Sequence, residues 1–177
     1  TYAIDRNTLS NEVYKGFAQP SVLPCNPLSD YYDEQLARDY DYAPARFAEA
    51  VSNSRVTTSD DYLGHVGIFL VCSDDPKRVA AAESIAEKLK AAGLNITVNA
   101  VPREQYLKNL DDGDFDLYYG ETRLTTNFDL IEFFSKYGNL NFGAINSTGL
   151  ASLCTAALKN SGSFYELCGQ LLQTAPI

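Results

Sequence analysis

Methionine and tryptophan are absent from these 177 residues, histidine occurs once, and no basic cluster interrupts a formal net charge of -9. Each gap removes a reading. Without methionine Thr1 is not an initiator, and Thr1-Tyr-Ala-Ile-Asp-Arg6 and Gln173-Thr-Ala-Pro-Ile177 start and stop abruptly, so the expectation is a piece of a longer polypeptide whose flanks hold any targeting segment. A single histidine, His65, and four cysteines without CxxC spacing argue against zinc. They also leave no evident base to activate a serine or cysteine. An acidic chain with pI near 4.5 offers no stripe of cations to phosphates, which excludes nucleic acid as a partner. No apolar run approaches the ~20 residues of a membrane span. Neither GxGxxG nor GxxxxGK[ST] follows the first predicted strand, which disfavours a nucleotide fold. No cofactor is implied.

What is present is periodicity. Hydrophobic content of 45% and this length suit one well-buried core. Residues 65–120 read as a βαβαβ unit, beginning with the apolar, β-branched run Val66-Gly-Ile-Phe-Leu-Val-Cys72. Ser73-Asp-Asp-Pro76 then supplies capping carboxylates and a proline suited to a first helical turn. Val79, Ala82, Ile85, Ala86 and Leu89 share one helical face, with Lys77, Arg78 and Glu83 among the residues on the rest, and Gly93 stops the helix. Asn95 to Val101 is a second strand. Pro102 opens a second helix with Tyr106, Leu107 and Leu110 inward, and Phe115-Asp-Leu-Tyr-Tyr-Gly120 is a third strand. Strands alternating with such helices give an α/β fold with a mainly parallel sheet flanked by helices.

Residues 1–64 are lead-in helices and loops, with a helix over Tyr2 to Tyr14, a proline-rich surface crossing over Ala18 to Pro27, a helix from Pro44 to about Val51 with Phe47 and Val51 inward, and a polar loop from Asn53 to Gly64. Residues 121–177 close the unit. A helix is predicted over Phe128 to Tyr137, ended by Gly138, followed by a helical hairpin. Its stripes are Leu150, Leu153, Cys154, Ala157 and Leu158, and Phe164, Leu167, Cys168, Leu171 and Leu172. Cys154 and Cys168 lie symmetrically about the turn, which allows either a disulfide or two packed thiols. The loops Asp30-Tyr-Tyr-Asp33 and Asp39-Tyr-Asp-Tyr42 read as packed tyrosine stems with wet hydroxyls, or as a platform for a cation or sugar.

In open parallel sheets ligands sit beyond the carboxyl ends of the strands. Here that edge comprises Ser73 to Asp75, Pro102 to Glu104 and Gly120 to Asn127, of which the last is richest through Glu121, Thr122 and Arg123. A surface salt bridge in a crossover loop would produce the same composition. Carboxylate pairs for acid and base work can always be drawn from 23 acidic residues, so they discriminate nothing.

The order of segments adds to this. Ala3-Ile-Asp-Arg6, Gly16-Phe-Ala-Gln-Pro20, Tyr40-Asp-Tyr-Ala-Pro44 with Phe47-Ala-Glu-Ala50, Ala80 to Leu89, Gly93-Leu-Asn-Ile-Thr-Val98 and Gly113-Asp-Phe-Asp-Leu117 together span nearly the whole chain. In that order they resemble the family 5 extracellular solute-binding proteins of ABC importers, the oligopeptide-, dipeptide- and nickel-binding group. No single motif is diagnostic.

The resemblance implies the second lobe of a periplasmic-binding-protein-like fold, a single α/β lobe over 1–177, with Thr1 and Ile177 near each other and facing an N-terminal lobe of the same polypeptide that is not part of this sequence. It implies a small peptide-like solute captured by lobe closure, no catalysis, delivery to an ABC permease in the membrane, and an extracellular or periplasmic location with a lipid anchor outside these residues. Peptide binders of that family follow the third strand with a W..D segment whose aspartate receives the α-amino group. Here Glu121 stands where the tryptophan would and Leu124 about where the aspartate would, so Glu121 is a carboxylate three residues early and Arg123 suits an anionic group. With the cleft retained, Tyr119, Glu121, Thr122, Arg123 and Asn141 face it. The rival readings are a free-standing α/β enzyme or regulatory domain using the same edge, and an interaction module using Tyr31, Tyr32, Tyr40 and Tyr42.

Overall fold

The computed structural model describes residues 1–53 and 67–174. Of the loop expected over Asn53 to Gly64, residues 54–64 lie outside the described residues, as do His65, Val66 and the terminal Ile177, while Asn53 ends a helix. In chain order the elements are α1 (Arg6–Thr8), a π-helical turn (Leu9–Val13), α2 (Glu34–Asp39), α3 (Pro44–Asn53), β1 (Ile68–Ser73), α4 (Pro76–Ala91), β2 (Ile96–Val101), α5 (Arg103–Asp112), β3 (Leu117–Tyr118), α6 (Ile131–Phe134), α7 (Thr148–Ala157) and α8 (Ser161–Thr174). Packing divides them into two compact units. The sheet unit takes Tyr2–Pro20 and Tyr42–Glu121, and the helical unit takes Thr1, Ser21–Asp41 and the chain from Thr122. The lead-in segment is therefore shared out rather than forming one block, because Leu23 and Cys25 are buried in the helical core while Ala3 is buried in the sheet core.

In the sheet unit the order is β2-β1-β3, with β1 parallel to both neighbours, Leu70 opposite Val98 on one side and Leu117 on the other. Leu70, Val71 and Cys72 are buried on the central strand. Helix α4 begins as its sequence indicates, with the Asp75 carboxylate accepting from the Lys77 and Arg78 amides and Pro76 in the first turn. Its inner face is mostly small, with Ala81, Ala82 and Ala86 nearly fully buried beside Leu89. Gly93 ends it at φ +96, where a Cβ would be strained.

Three predicted elements of this unit change. The helix expected over Tyr2 to Tyr14 begins only at Arg6, because the Asp5 carboxylate accepts from the Thr8 amide at 3.0 Å and caps it there. It then widens, with the Tyr14 amide donating to the Leu9 carbonyl at 3.1 Å, and the extra residue in the turn rotates the chain beyond it by about 100°. Strand β3 is two residues rather than six. At its start the Asp116 carboxylate, not a carbonyl, accepts from the Phe69 amide at 2.8 Å, so only the Asp116 amide, donating to the Phe69 carbonyl at 3.2 Å, keeps the backbone pairing there. On α5 Leu107 is 41% exposed rather than inward, while Tyr106, Asn109 and Leu110 share the inner face and Gln105 donates to the buried Asn109 amide oxygen.

The helical unit is built on an apolar core around Phe164, Leu167 and Leu171 of α8 and Leu150 and Cys154 of α7. The hairpin stripes hold, except that Leu158 lies just beyond α7 and is 39% exposed. The helix expected over Phe128 to Tyr137 shrinks to one turn. Phe128 sits at φ +55, outside any right-handed helix, and the Asp129 carboxylate then accepts from the Ile131 amide to start α6. Gly138 follows because a Cβ there would lie 2.1 Å from the Glu132 carbonyl oxygen. Tyr31 does not stand free in its loop, since its ring meets Phe164 edge-on at 5.4 Å and Phe128 at 6.2 Å.

Of the two states open to Cys154 and Cys168, the structure has the unbonded one. Both are buried free thiols in the same core, joined there by Cys25. Burial pushes the Cys154 thiol up to about 11 and the Cys168 thiol up to about 12, so the thiolate that disulfide chemistry needs is scarce.

Candidate functional site

Strand β1 ends in a buried polar side chain, Ser73, only 3% exposed, and β3 leads directly into Tyr119 and Glu121. Between these two strand ends the first turn of α4 places Arg78. Its Nη1 donates to Ser73 Oγ at 3.1 Å and its Nε donates to Glu121 Oε2 at 3.1 Å. From the end of the π-helical turn, the Tyr14 hydroxyl donates to the other carboxylate oxygen, Glu121 Oε1, at 2.7 Å. It also lies 2.5 Å from the Tyr119 hydroxyl. A hydroxyl has one proton, and that of Tyr14 is committed to the carboxylate, so Tyr119 is the donor in this contact. Tyr106 completes the cluster by donating to the Tyr119 carbonyl at 3.0 Å.

The geometry assigns each group a protonation state. Burial raises Tyr14 well above the ordinary tyrosine range, and the bond it donates to the Glu121 carboxylate adds to this. Burial raises Tyr119 and pushes Tyr106 up to about 12. The bond to Glu121 is the main cause that raises Arg78. The hydroxyls are therefore neutral donors and the guanidinium a fixed cation. The carboxylate is 40% exposed and the guanidinium side chain 30%, so solvent screens the pair and its value is positional more than energetic. The three hydroxyls and the guanidinium of this edge all keep their protons near neutral pH.

Tyr119 and Glu121 thus come together as their sequence positions suggest. Thr122 and Arg123 follow in the helical unit, both exposed, with no hydrogen bond or ion pair among the described residues. Asn141 uses its amide within its own loop, donating to the Ser135 and Ile145 carbonyls at 2.9 and 2.8 Å and accepting from the Ile145 amide at 2.8 Å.

Two members escaped sequence reasoning. Tyr14 lies 107 residues from Glu121, and nothing local marks it. Arg78 did leave a trace. A cation in the first turn of a helix sits against the positive end of the helix dipole, a local conflict that asks for a partner elsewhere. Among the described residues no group of three or more His, Cys, Asp or Glu is arranged to hold a metal ion.

Helices packed on a parallel sheet, with a preformed polar cluster beyond the carboxyl ends of its strands, define an α/β fold of the periplasmic-binding-protein type. Residues 1–140 match the model of the bacterial extracellular solute-binding proteins, family 5, and the chain belongs to that family. Solved structures agree on the fold. The Escherichia coli murein tripeptide binding protein MppA has a TM-score of 0.79 at 14% identity, with 99% of this chain and 36% of that one covered. The Bacillus subtilis oligopeptide-binding protein AppA, in complex with a nonapeptide, has a TM-score of 0.72 at 15% identity over 97% of this chain and 38% of that one. Campylobacter jejuni NikZ, in complex with Ni(L-His), has 0.71 at 15% identity, covering 99% and 38%. This chain therefore spans little more than a third of the length of each. No curated protein sequence matches it. Among the described residues no helix is long and apolar enough to cross a membrane.

Proposed function

We propose that this chain is the second, ligand-facing lobe of an extracellular solute-binding protein serving an ABC importer, and that it captures a small peptide-like solute without catalysing any reaction. The observation that carries this is the cluster of Arg78, Glu121, Tyr14 and Tyr119, joined by hydrogen bonds at the strand edge of a family 5 member. Preorganised donors that need no rearrangement suit binding. Protonated tyrosines and a paired carboxylate do not suit acid–base work.

In this reading solute bridges the present lobe and another part of the polypeptide, and closure about a hinge sequesters it. Tyr119 and Glu121 set the floor of the site in the sheet unit. Asn141 serves by shaping its loop. The protein works outside the cytoplasm, lipid-anchored through a segment beyond these residues, and hands its solute to a membrane permease.

Thermal unfolding of the natural-length polypeptide against pools of peptides, nickel complexes and saccharides tests this. The expected result is a raised Tm with the peptide pool, since a ligand binding only the folded state stabilises by about 2.7 kcal/mol at a hundred times its Kd. Unchanged Tm with every pool, alongside turnover of any of them, would overturn the reading.

A further inference from the structure

Glu121 is the obvious receptor for a ligand amine, yet both of its oxygens are already in use. Oε1 accepts from Tyr14 and Oε2 from Arg78, both contacts lying inside the sheet unit. Each oxygen keeps a further acceptor site, but the Glu121 charge is already paired, and the uncommitted donors are on the other partner. Arg78 commits Nε to Glu121 and one Nη1 proton to Ser73, which leaves Nη2 and the second Nη1 proton without a partner among the described residues. Ser73 accepts from Arg78 and keeps its own proton to donate. With Ser73 only 3% exposed, what the edge offers to an incoming acceptor is the guanidinium N–H groups of Arg78.

Resting on the solute-capture reading above, we infer that Arg78 is the specificity residue of this site and that it takes the carboxylate of the solute, with Glu121 as the strut that aims the guanidinium. Arginine suits this because its planar fork gives parallel donors to a carboxylate, and a guanidinium already immobilised by two bonds loses little further freedom on binding. The helix terminus is not the receptor, since the Lys77 and Arg78 amides are occupied by the Asp75 carboxylate. Asp75 and Glu121 bring two negative charges near Arg78, and the chain as a whole is negative. That surplus works against a multiply charged anion such as phosphate and selects a singly charged carboxylate, over the ~8 Å that fields reach at physiological salt.

The test uses the natural-length polypeptide and three probes followed by calorimetry: an N-acetylated dipeptide with a free carboxylate, a dipeptide amide with a free amine, and a neutral disaccharide. The acetylated dipeptide is expected to bind and the dipeptide amide and saccharide not to. Arg78→Gln should weaken the acetylated dipeptide about ten- to a hundredfold, the range of a lost charge-assisted bond, and Arg78→Lys, which keeps charge but loses the fork, should fall between. Glu121→Gln separates the roles by sign: freeing the guanidinium of its paired charge should tighten the acetylated dipeptide. Loss of binding in that variant, or binding of the dipeptide amide that survives Arg78→Gln, overturns the inference and leaves solute capture standing. If neither these probes nor an unblocked peptide pool binds the wild-type polypeptide, solute capture fails, and the assignment of Arg78 with it. Unchanged circular dichroism in the variants shows that recognition, not folding, was altered.

Discussion

The two units solve stability in different ways. The helical unit buries large apolar side chains, with Phe164, Leu167 and Leu171 all at or below 1% exposure, and its three cysteines serve as apolar filler. The sheet unit packs α4 through alanines and concentrates polar groups at one strand edge, where Ser73 is buried and Tyr14, Arg78 and Glu121 are bonded to one another. Small residues bring backbone close to backbone and fix where the strand ends lie. A platform for ligand needs that kind of positional certainty more than it needs buried area. The contrast teaches that bulk packing and the bonded polar edge sit in different parts of this chain, and it can be broken by substitution.

The largest effect is expected at Phe164, fully buried between Tyr31 and Phe128. Phe164→Ala removes a buried ring and leaves a cavity, costing about 3–5 kcal/mol. Hydrogen exchange should show α7 and α8 amides losing protection while β1 amides keep theirs. Equal loss in both would show that the units do not unfold separately.

Titration gives the next test. Burial raises Cys25 and Cys154 to about 11 and Cys168 to about 12, so the folded state holds these protons more tightly than the unfolded chain does. Their contribution is complete below the ordinary thiol value of about 8.5 and is lost as pH rises toward about 12. Denaturant midpoints of the helical unit should fall over that window, and at pH 8 the thiols should react with a disulfide reagent only after unfolding. Fast reaction in the native protein would contradict the core packing. In the sheet unit Asp5 has the opposite sign. The bond from the Thr8 amide lowers its carboxyl, so its contribution is complete above about 3.9 and is lost as pH falls through the folded value.

Smaller effects belong to the polar edge. A hydrogen bond to a charged acceptor is worth about 1.5–3 kcal/mol, but Glu121 is part-exposed, so Tyr14→Phe should cost about 1 kcal/mol after screening. The same change removes one hydrogen-bond partner of the Tyr119 hydroxyl, and the ultraviolet titration of Tyr119 should move. An unmoved titration would remove Tyr14 from the cluster. The smallest effect is at Arg38 on α2, whose pair with Glu34 is mostly exposed, and Arg38→Ala should change stability by less than about 0.5 kcal/mol.

Much of the fold was legible from local pattern. Alternating apolar runs and three-to-four-residue stripes gave the βαβαβ order, Asp75 and Pro76 marked the start of α4, Gly93 its end, and Leu150, Cys154, Phe164 and Leu171 the inner faces of the hairpin. These signals are legible because burial periodicity and capping act between residues within a turn or two of each other. Elements failed where a side chain competed with the backbone ladder or a residue left its usual φ region. Asp116 shortened β3, and Phe128 at φ +55 shortened α6.

The sequence by itself determined the strand and helix order, the negative net charge and the position of Tyr119 and Glu121 at the end of the third strand, because each follows from composition or short-range spacing. Only tertiary structure decided that Tyr14 and Arg78 meet Glu121, that Cys25 joins Cys154 and Cys168 in one core, and that residues 1–53 divide between two units. Those contacts join positions tens of residues apart. Their partners are selected by where the packed sheet and helices bring the chain, and no spacing along it records that.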